Sequence, residues 1–446
     1  MQQSSRLLAV TIFYLLATTI ISQTTALSPP TCQGLAPPQT NLTSVRTAFT
    51  SVPGTPWGLS FAGPSHPNRA FVTLTGLSVN GSVQYGNGTL GVLDTTSFPP
   101  KLLHQIPLPV SFQPPGVAAA ASAGIAQLSV SPDRKRVLIA AGPGGIVVDA
   151  RRALTGAADA VLGTLKGTTG DMSPGTNAIA VAVSLDEKYA MVSQEHGNGS
   201  ALDNAMSTPG NLDVFRLDAD PRKHNGTGGY LIGQLNLGYN VAGATIAPDG
   251  KHLYVTSERY TSAGARLNTS VPCSALLPGF FSVVDLHQLE HHPAKARHID
   301  IPAGFAPNRF RPSPHGKTVW LTARESNALL AYNASALHSN DTTADALLAV
   351  IQVGNAPVDL IFVKNGTRIV TADSNRFGYA GALAGLTVVE VEAGLSGSGG
   401  NTTAVLGRVP TGFFPRDLAV SEDGRWVLGS VYNSGKVQYT DVETLP

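Results

Sequence analysis

The sequence predicts an all-β protein in which seven four-stranded antiparallel blades form one ring, the β-propeller architecture. Three observations lead to this prediction. Apolar residues make up 42% of the 446 residues and charged residues only 13%, so the chain can build a large core and carries too little charge to stay disordered. Its 47 glycines and 31 prolines suit many short strands joined by tight turns. The third observation is a unit that recurs seven times along the chain.

The recurring unit is a short apolar strand, a turn of the Ser-Pro-Asp-Gly type, a second strand ending in Val-Thr, and a third strand that often ends on Asp. The clearest copy covers 244–256 and continues at 281–285. Five further copies have their turns at Asp133, Asp186, His315, Asn365 and Asp423, and a weaker first copy has strands at 57–61 and 70–73. A small sheet cannot bury both faces alone, so seven such units favour a closed ring of stacked blades.

The spacing of the repeat predicts one domain over residues 27–446. Blades are expected at approximately 51–109, 110–162, 163–228, 229–296, 297–346, 347–404 and 405–446. Residues 44–52 are expected to add a strand to the last blade and so close the ring. Length does not argue against a single domain, because all-β architectures often exceed the usual domain size.

Residues 1–26 have the pattern of a secretory signal peptide. Arg6 precedes an apolar stretch at 7–21, and Thr24, Thr25 and Ala26 supply a small-residue cleavage site. A membrane anchor is the alternative, but a span needs about 20 apolar residues. We therefore expect a mature chain that is secreted or lies in the lumen of the secretory pathway, without contact to a membrane.

Removal of this segment leaves 29 basic and 29 acidic residues, with no basic cluster along the chain. A nucleic-acid binder needs a concentrated positive surface, so nucleic acid is excluded as a partner class. We expect a monomer.

Ten Asn-x-Ser/Thr sequons follow the signal, where roughly three or four would occur by chance. The excess predicts N-glycosylation on surface loops in a eukaryotic secretory pathway. The sequons are at Asn41, Asn80, Asn87, Asn198, Asn225, Asn268, Asn333, Asn340, Asn365 and Asn401. The chain has two cysteines, and an even count in an oxidising compartment predicts a disulfide between Cys32 and Cys273, with two unpaired thiols as the alternative.

The strand directions predict where a functional site lies. In each unit the first strand runs toward the turn and the second returns, so the start of the first and the end of the second meet on one face of the ring. The longest loops fall on this face, at 74–90, 194–212, 258–280 and 373–386. We expect a pocket there, at one mouth of the central channel. The side chains expected at this mouth are Trp57, Asn177, Glu195, His196, Asn240, Glu258, Arg309, Arg324, Asp359, Asp373, Arg416 and Tyr432.

Mixed charge in a confined rim suits acid–base chemistry or oriented hydrogen bonding. Glu195 and His196 are the best acid–base candidates, although neighbours on a strand point to opposite sides, so one of the two faces the channel. The alternative for each residue is that it satisfies loop backbone or another side chain. Asp359, Arg416 and Asp417 begin first strands, and ion pairing across the channel is the favoured interpretation for them.

Other motifs give no support for further chemistry. His287 and His291 match an inverted zincin pattern that requires a helix, but they follow a third strand, where no helix is expected, so we predict no metal site. Gly316 and Lys317 lack the earlier glycine of a phosphate-binding loop, and the Gly-x-Ser-x-Gly pattern of a serine nucleophile is missing.

The repeat resembles that of the seven-bladed lactonase-like family, which is also described by its Tyr-Val-Thr-Asn repeats; residues 253–257, Leu-Tyr-Val-Thr-Ser, are the nearest match to its core. The secretory signal, the many sequons and the expanded repeat together resemble the fungal hetero-Diels-Alderases of tropolone sesquiterpenoid biosynthesis. This resemblance is one of overall architecture, and no catalytic motif of that family is matched residue by residue.

That resemblance implies a cofactor-independent enzyme whose partner is a small apolar substrate. A hydroxymethyl tropolone would lose water to give a quinone methide, which would add to a humulene-type alkene. Glu195, Glu258 or His196 would assist the loss of water, and Arg309, Arg324 or Tyr432 would hold the tropolone oxygens. The residues expected to bind substrate are Trp57, Asn177, Asn240, Asp359, Asp373 and Arg416.

The sequence is compatible with two other functions. The lactonase-like resemblance implies a hydrolase in which a carboxylate or histidine at the mouth activates water. A propeller that binds a protein or glycan on its loop face, without catalysis, is the third interpretation, because one fold hosts unrelated activities.

Overall fold

The structure is a computed structural model. It describes residues 27–75, 77–79, 82–112, 125–142, 144–167, 178–195, 209–224, 226–260, 273–339, 346–397 and 402–446, so the predicted signal peptide lies outside the described residues. Seven antiparallel sheets stand in a ring, which confirms the seven-bladed β-propeller.

The strands of the first four blades follow the chain from the inside of the ring outward. After strand β1 (Thr47–Ser51), blade 1 has β2 (Thr55–Phe61), β3 (Arg69–Thr75), the short β4 (Leu77–Val79), β5 (Ser82–Asp94) and β6 (Lys101–Phe112). Blade 2 has β7 (Ile125–Val130), β8 (Arg136–Ala141), β9 (Gly144–Asp149) and β10 (Val161–Leu165). Blade 3 has β11 (Ala178–Val183), β12 (Tyr189–Gln194), β13 (Asn211–Leu217) and β14 (Gly229–Asn236). Blade 4 has β15 (Tyr239–Ile246), β16 (His252–Arg259), β17 (Phe280–Asp285) and β18 (His298–Pro302).

The last three blades repeat this order, and the final one takes its outer strand from the start of the chain. Blade 5 has β19 (Pro307–Pro312), β20 (Thr318–Ala323), β21 (Ala328–Asn333) and β22 (Leu347–Gln352). Blade 6 has β23 (Pro357–Val363), β24 (Arg368–Asp373), β25 (Gly385–Glu390) and β26 (Val405–Pro410). Blade 7 has β27 (Pro415–Val420), β28 (Trp426–Val431) and β29 (Lys436–Asp441), and β1 pairs antiparallel with β29.

The outer strands lie later in the chain than the repeat spacing indicated. β14, β18, β22 and β26 pair back onto the third strands of blades 3, 4, 5 and 6, whereas boundaries at 229, 297, 347 and 405 would give them to the following blade. The reason is the long link after each third strand, which places the fourth strand close in sequence to the next unit. The expected loop at 74–90 is also largely strand, because β4 and β5 form a hairpin that extends blade 1.

Four short α-helices fill these links: α1 (Ala150–Leu154), α2 (Leu286–His291), α3 (Ala334–Leu337) and α4 (Val391–Ser396). The Asp or Asn that ends the third strand caps the helix in three cases. Asp149 accepts from Arg152 N at 3.0 Å, and Asp285 accepts from Gln288 N at 3.0 Å. The expectation that no helix follows the third strand of blade 4 was therefore wrong, because the Asp that ends this strand is an N-cap.

The core is divided among the blade interfaces. In the described residues, seven clusters of buried apolar side chains lie where neighbouring blades meet. The cluster between blades 7 and 1 contains Leu59, Phe61 and Val72 from blade 1 and Leu428 and Tyr439 from blade 7. Burial of large side chains between sheets contributes roughly 1.5–3 kcal/mol each, so each blade depends on both neighbours.

Hydroxyl groups connect the innermost strands. All seven inner strands shift register near the mouth, which frees a backbone N–H. In blade 5 that N–H belongs to Arg309 and donates to Thr322 Oγ1 at 3.2 Å, and the Thr322 hydroxyl donates to Val358 O in blade 6 at 3.1 Å. Thr73 and Thr256 make the same two bonds from blades 1 and 4. The threonine of the repeat therefore links one blade to the next.

The first described residues form a strap along the mouth face from blade 4 to blade 7. Cys32 and Cys273 are bonded, which confirms the predicted disulfide and fixes the start of the strap to the loop of blade 4. Further along, Gln33 N donates to Glu325 O at 2.8 Å, and Asn355 binds the backbone of Ala36 and Gly34. The strap ends in β1, so one segment both borders the mouth and closes the ring.

Three sequons have described side chains. Asn41 and Asn365 are exposed, and Asn333 is half-buried, where it caps α3. Asn87 belongs to β5, and the remaining six, Asn80, Asn198, Asn225, Asn268, Asn340 and Asn401, lie outside the described residues. Glycosylation and secretion stay predictions.

No helix in the described part of the chain is long and apolar enough to cross a membrane.

Replacing Thr322 by Val should lower the free energy of unfolding by about 2 kcal/mol, because the buried N–H of Arg309 loses its acceptor. Thr367→Val is the matched control, since that hydroxyl is exposed and bonds only within its own turn. Urea unfolding followed by fluorescence measures both. Equal stability of the two variants would contradict the linking role of Thr322.

Candidate functional site

The mouth of the channel takes its side chains from two positions in the repeat. One lies at the start of the inner strand, beside the register shift, where blades 1, 5 and 7 place Trp57, Asn308 and Arg416. The other lies two residues after the Ser or Thr near the end of the second strand. The residues at this second position are Glu195, Glu258, Arg324, Asp373 and Tyr432.

Glu258 and Arg324 form a buried ion pair between blades 4 and 5. Arg324 Nη2 donates to Glu258 Oε2 at 2.7 Å, and Asn308 Nδ2 donates to the other carboxylate oxygen at 3.1 Å. Only 7% of the Glu258 side chain and 9% of the Arg324 side chain are exposed. Burial acts against the charge of Arg324, but the carboxylates of Glu258 and Glu325 outweigh it and raise the pKa of Arg324. Both oxygens of the Glu258 carboxylate are therefore already engaged by protein donors.

Glu195 of blade 3 reaches blade 4 through Asn240. Asn240 Nδ2 donates to Glu195 Oε1 at 3.4 Å, and Asn240 Oδ1 accepts from Arg259 Nη2 at 2.6 Å. Asn240 has a φ of 55°, in the left-handed region that asparagine tolerates better than most residues. Burial lowers the pKa of Arg259. Groups of both charges thus line this side of the mouth.

The other side of the mouth, formed by blades 7 and 1, is aromatic. The guanidinium carbon of Arg416 lies 3.3 Å from the centre of the Trp57 ring and 5.2 Å from those of Phe414 and Tyr432. Trp57 and Tyr432 meet edge to face, with ring centres 5.5 Å apart. Burial lowers the pKa of Arg416 to about 9, so the guanidinium is charged at neutral pH but poorly solvated.

Arg376 lies on the same side of the mouth as Arg416, since the guanidinium carbons of both lie within 6 Å of the centre of the Phe414 ring, at 5.9 and 5.2 Å. Arg416 is half-buried, and in the described chain neither its Nε nor Trp57 Nε1 has a hydrogen-bond partner. Arg376, in the loop after β24, is exposed, yet burial lowers its pKa, and its charge also lowers the pKa of Arg416. Two guanidinium groups therefore lie beside one aromatic cluster at the mouth.

Asp359 and Asp417 lie between the inner strands. Asp359 Oδ2 accepts from Leu418 N at 2.9 Å and from Arg311 Nη2 at 3.1 Å. Asp417 Oδ2 accepts from Leu59 N at 2.7 Å. Each carboxylate joins its blade to the next one, so both hold the ring together, and Asp359 is fully buried.

The two carboxyl groups also act on one another. Burial, together with the charge of Asp359, raises the pKa of Asp417 to about 8. Oδ1 of each carboxyl lacks a donor among the described residues. The burial of Asp417 and the nearby charge of Asp359 therefore both favour the protonated form of Asp417.

Of the remaining expected site residues, Arg309 and Asp373 bond to the scaffold of the blades. Arg309 donates from Nη1 to Ala242 O in blade 4 and is buried between inner strands. Asp373 accepts from Thr371 and Thr387 of its own blade, and burial raises its pKa to about 7, so it braces blade 6. Asn177 and His196 lie outside the described residues.

Sequence reasoning missed Asn308, Arg259, Phe414 and Arg376. Two of them carried a usable signal. Asn308 aligns with Trp57 and Arg416 at the start of an inner strand, and Arg259 directly follows Glu258. Phe414 and Arg376 sit in loops, where no repeat position identifies them.

The described mouth residues can bind and orient an oxygen-rich planar molecule, since guanidinium donors lie beside aromatic faces. They contain no trio of imidazole, thiolate or carboxylate atoms close enough to share one metal ion; within the described ranges such a trio occurs on the opposite face, at Asp249, His252 and His338.

Comparison with known proteins defines the class at the level of the fold. No family model matches the chain, and the search of the curated proteins found no match. Among solved structures, Kuenenia stuttgartiensis hydrazine synthase is 15% identical with a TM-score of 0.55, over 89% of this chain and 98% of that one. A crystal structure of the mitotic checkpoint complex is 13% identical with a TM-score of 0.53, over 99% of both chains. At such identities the likeness shows the propeller fold alone.

Glu258→Gln should lower the free energy of unfolding by about 3 kcal/mol, because it leaves Arg324 charged and buried without its main partner. Asp159→Asn is the control: it breaks the exposed pair with Arg152 and should leave stability unchanged within error. Chemical denaturation at pH 7 compares the two. A stable Glu258→Gln protein would show that Glu325 alone compensates Arg324.

Stability should fall as the pH rises toward 8, because Asp417 keeps its proton in the folded state and loses it near pH 4 when unfolded. Between pH 4 and pH 8 the folded protein therefore binds one proton more than the unfolded chain. The contribution of Asp417 to the free energy of unfolding is complete below pH 4 and is lost above about pH 8. The free energy of unfolding should change by up to about 1.4 kcal/mol per pH unit for this one proton.

Asp417→Asn should reduce this slope by up to the contribution of one proton, since an amide cannot ionise and still offers an oxygen to Leu59 N. Asp373, whose pKa burial raises to about 7, keeps a slope of the same sign below pH 7. Free energies of unfolding from pH 5 to pH 9 test the expectation, with Asp159→Asn as the control. Identical slopes for Asp417→Asn and the unaltered protein would assign the pH dependence to other groups.

Proposed function

We propose that the mouth is the active site of a cofactor-independent hetero-Diels-Alderase that joins a tropolone-derived quinone methide to a humulene-type alkene. The observation that carries this proposal is the packing of Arg416 on Trp57, with Phe414 and Tyr432 beside it. The resemblance in overall architecture that the sequence has to secreted fungal hetero-Diels-Alderases supports the same reaction class.

A tropolone fits this arrangement for chemical reasons. It is a flat conjugated ring with adjacent oxygens that share negative charge, and a guanidinium matches such a pair with two parallel N–H donors. The poor solvation of Arg416, reflected in its lowered pKa, makes an anionic partner favourable. Aromatic walls from Trp57 and Tyr432 accept the ring and the apolar alkene.

The proposed reaction has two steps and no net oxidation. In the first, the bond from the ring's side carbon to its hydroxyl group breaks, a ring hydroxyl gives up its proton, and the two fragments leave as water. In the second, the resulting oxygen–carbon diene adds across the alkene, forming one C–O bond and one C–C bond. The dihydropyran that results retains all remaining atoms of both reactants.

We assign Glu195 as the acid that assists the departing hydroxyl, and Tyr432 and Arg416 as donors to the ring oxygens. Glu258, expected from the sequence as a further acid, is instead proposed as the anchor of Arg324, because that pair is already formed. The protein's main contribution would be orientation, since holding two reactants in attack geometry supplies up to roughly 7 to 11 kcal/mol of the barrier.

The test is to incubate the purified protein with a hydroxymethyl tropolone and a humulene-type alkene and to follow product by chiral chromatography. We expect faster formation and a single stereoisomer compared with buffer. Arg416→Gln should reduce kcat/KM by about 100-fold through the loss of donors to the oxyanion. Arg152→Gln, on the exposed surface of blade 2, should not alter it.

The same protein should be tested against a panel of lactones and in glycan and peptide binding assays. Equal rate and stereochemistry with and without the protein would refute the proposal. Acid release from a lactone that depends on Glu195 would support a hydrolase instead. Saturable binding without turnover would support a recognition propeller.

A further inference from the structure

Asp249, His252 and His338 come together on the face opposite the mouth, between blades 4 and 5. Asp249 lies in the turn between β15 and β16, His252 begins β16, and His338 follows α3. Asp249 Oδ2 is 2.6 Å from His252 Nδ1 and 3.1 Å from His338 Nδ1. The two imidazole rings stack, with centres 4.2 Å apart and planes inclined by 17°. One ligand atom from each residue lies within 4.8 Å of the other two.

We propose that these three residues bind one divalent transition-metal ion, for which Zn²⁺ is the best-suited probe. Two imidazole nitrogens and one carboxylate oxygen form a ligand set that zinc favours, and they leave a fourth position for water or another ligand. A site in which the ligands come from two blades would clamp the interface between them. This site is independent of the function proposed for the mouth.

Hydrogen bonds from neighbouring groups constrain Asp249 and His338, and the stacked imidazole rings would tilt apart for both lone pairs to reach one ion. Asp249 Oδ1 accepts from Lys251 N at 2.9 Å and from His252 N at 3.2 Å, which directs Oδ2 toward the rings. His338 Nε2 is 2.8 Å from the Tyr254 hydroxyl. Metal-binding histidines usually give their second ring N–H to such a partner, which fixes the tautomer.

The access route also suits a metal ion. A cavity of about 580 Å³ opens beside the site, lined by His252, His338 and also His298. A hydrated ion can therefore enter from solvent and keep a water in the fourth position.

The purified protein, stripped with a chelator and then dialysed, should bind Zn²⁺ in a calorimetric titration at pH 7.5 with one high-affinity site. His252→Gln and His338→Gln should each weaken this binding at least 100-fold. Tyr254→Phe removes only the hydroxyl that orients His338 and should weaken it about 10-fold. The double variant His287→Gln/His291→Gln is the matched control, because it removes two exposed histidines of α2 and should retain the site.

Thermal unfolding gives a second readout. Zn²⁺ should raise the Tm of the unaltered protein and of the control but not that of His338→Gln. If His338→Gln fails to fold, Asp249→Asn replaces it, since the amide oxygen can still accept from the turn backbone. Absence of a saturable Zn²⁺ site, or equal affinity in His252→Gln and the unaltered protein, would overturn the proposal and leave the trio as a hydrogen-bonded link in which Asp249 accepts from both imidazoles.

Discussion

The fold depends on how one sheet is attached to the next at the axis of the ring. Most backbone hydrogen bonds run within a blade, so neighbouring blades need a further kind of link at the inner strands. The hydroxyl of Thr73, Thr256 or Thr322 provides it by accepting an N–H from its own blade and donating to a carbonyl of the next. Between blades 6, 7 and 1 the carboxylates of Asp359 and Asp417 take over this task. Apolar packing holds the blades together farther from the axis.

The links between inner strands also determine which side chains line the mouth. The register shift that frees an N–H for a threonine also turns the neighbouring side chain toward the channel, where Trp57 and Arg416 are found. Charged residues beside it divide into two groups. Glu258 and Arg324 form an ion pair, whereas Arg416 and Arg376 pack against aromatic rings and burial lowers the pKa of both. A ligand gains more from the second group, because the first is already paired.

The ring and its seven blades could be predicted from the sequence, since the unit of strand, turn and strand recurs seven times. The disulfide could be predicted because the chain has two cysteines. The outer strands could not be assigned to the correct blade, because links of variable length separate them from the repeated core. The contacts between side chains at the mouth could not be predicted either. Glu258 and Arg324 occupy a repeated position, but their pairing depends on the distance between two blades. Arg376 and Phe414 lie in loops whose path depends on tertiary contacts rather than on local pattern.

The position of β1 has a consequence for the order in which the chain can complete its structure during synthesis. Domains generally begin to fold from the N-terminus as the chain emerges, but β1 pairs with β29 and therefore waits for residues 436–441. The strap that precedes β1 binds blades 4, 5 and 6, so it too has no partners until most of the chain has been made. Closure of the ring and completion of the mouth thus belong to the end of translation. An incomplete chain would carry an open edge strand and an unbordered mouth.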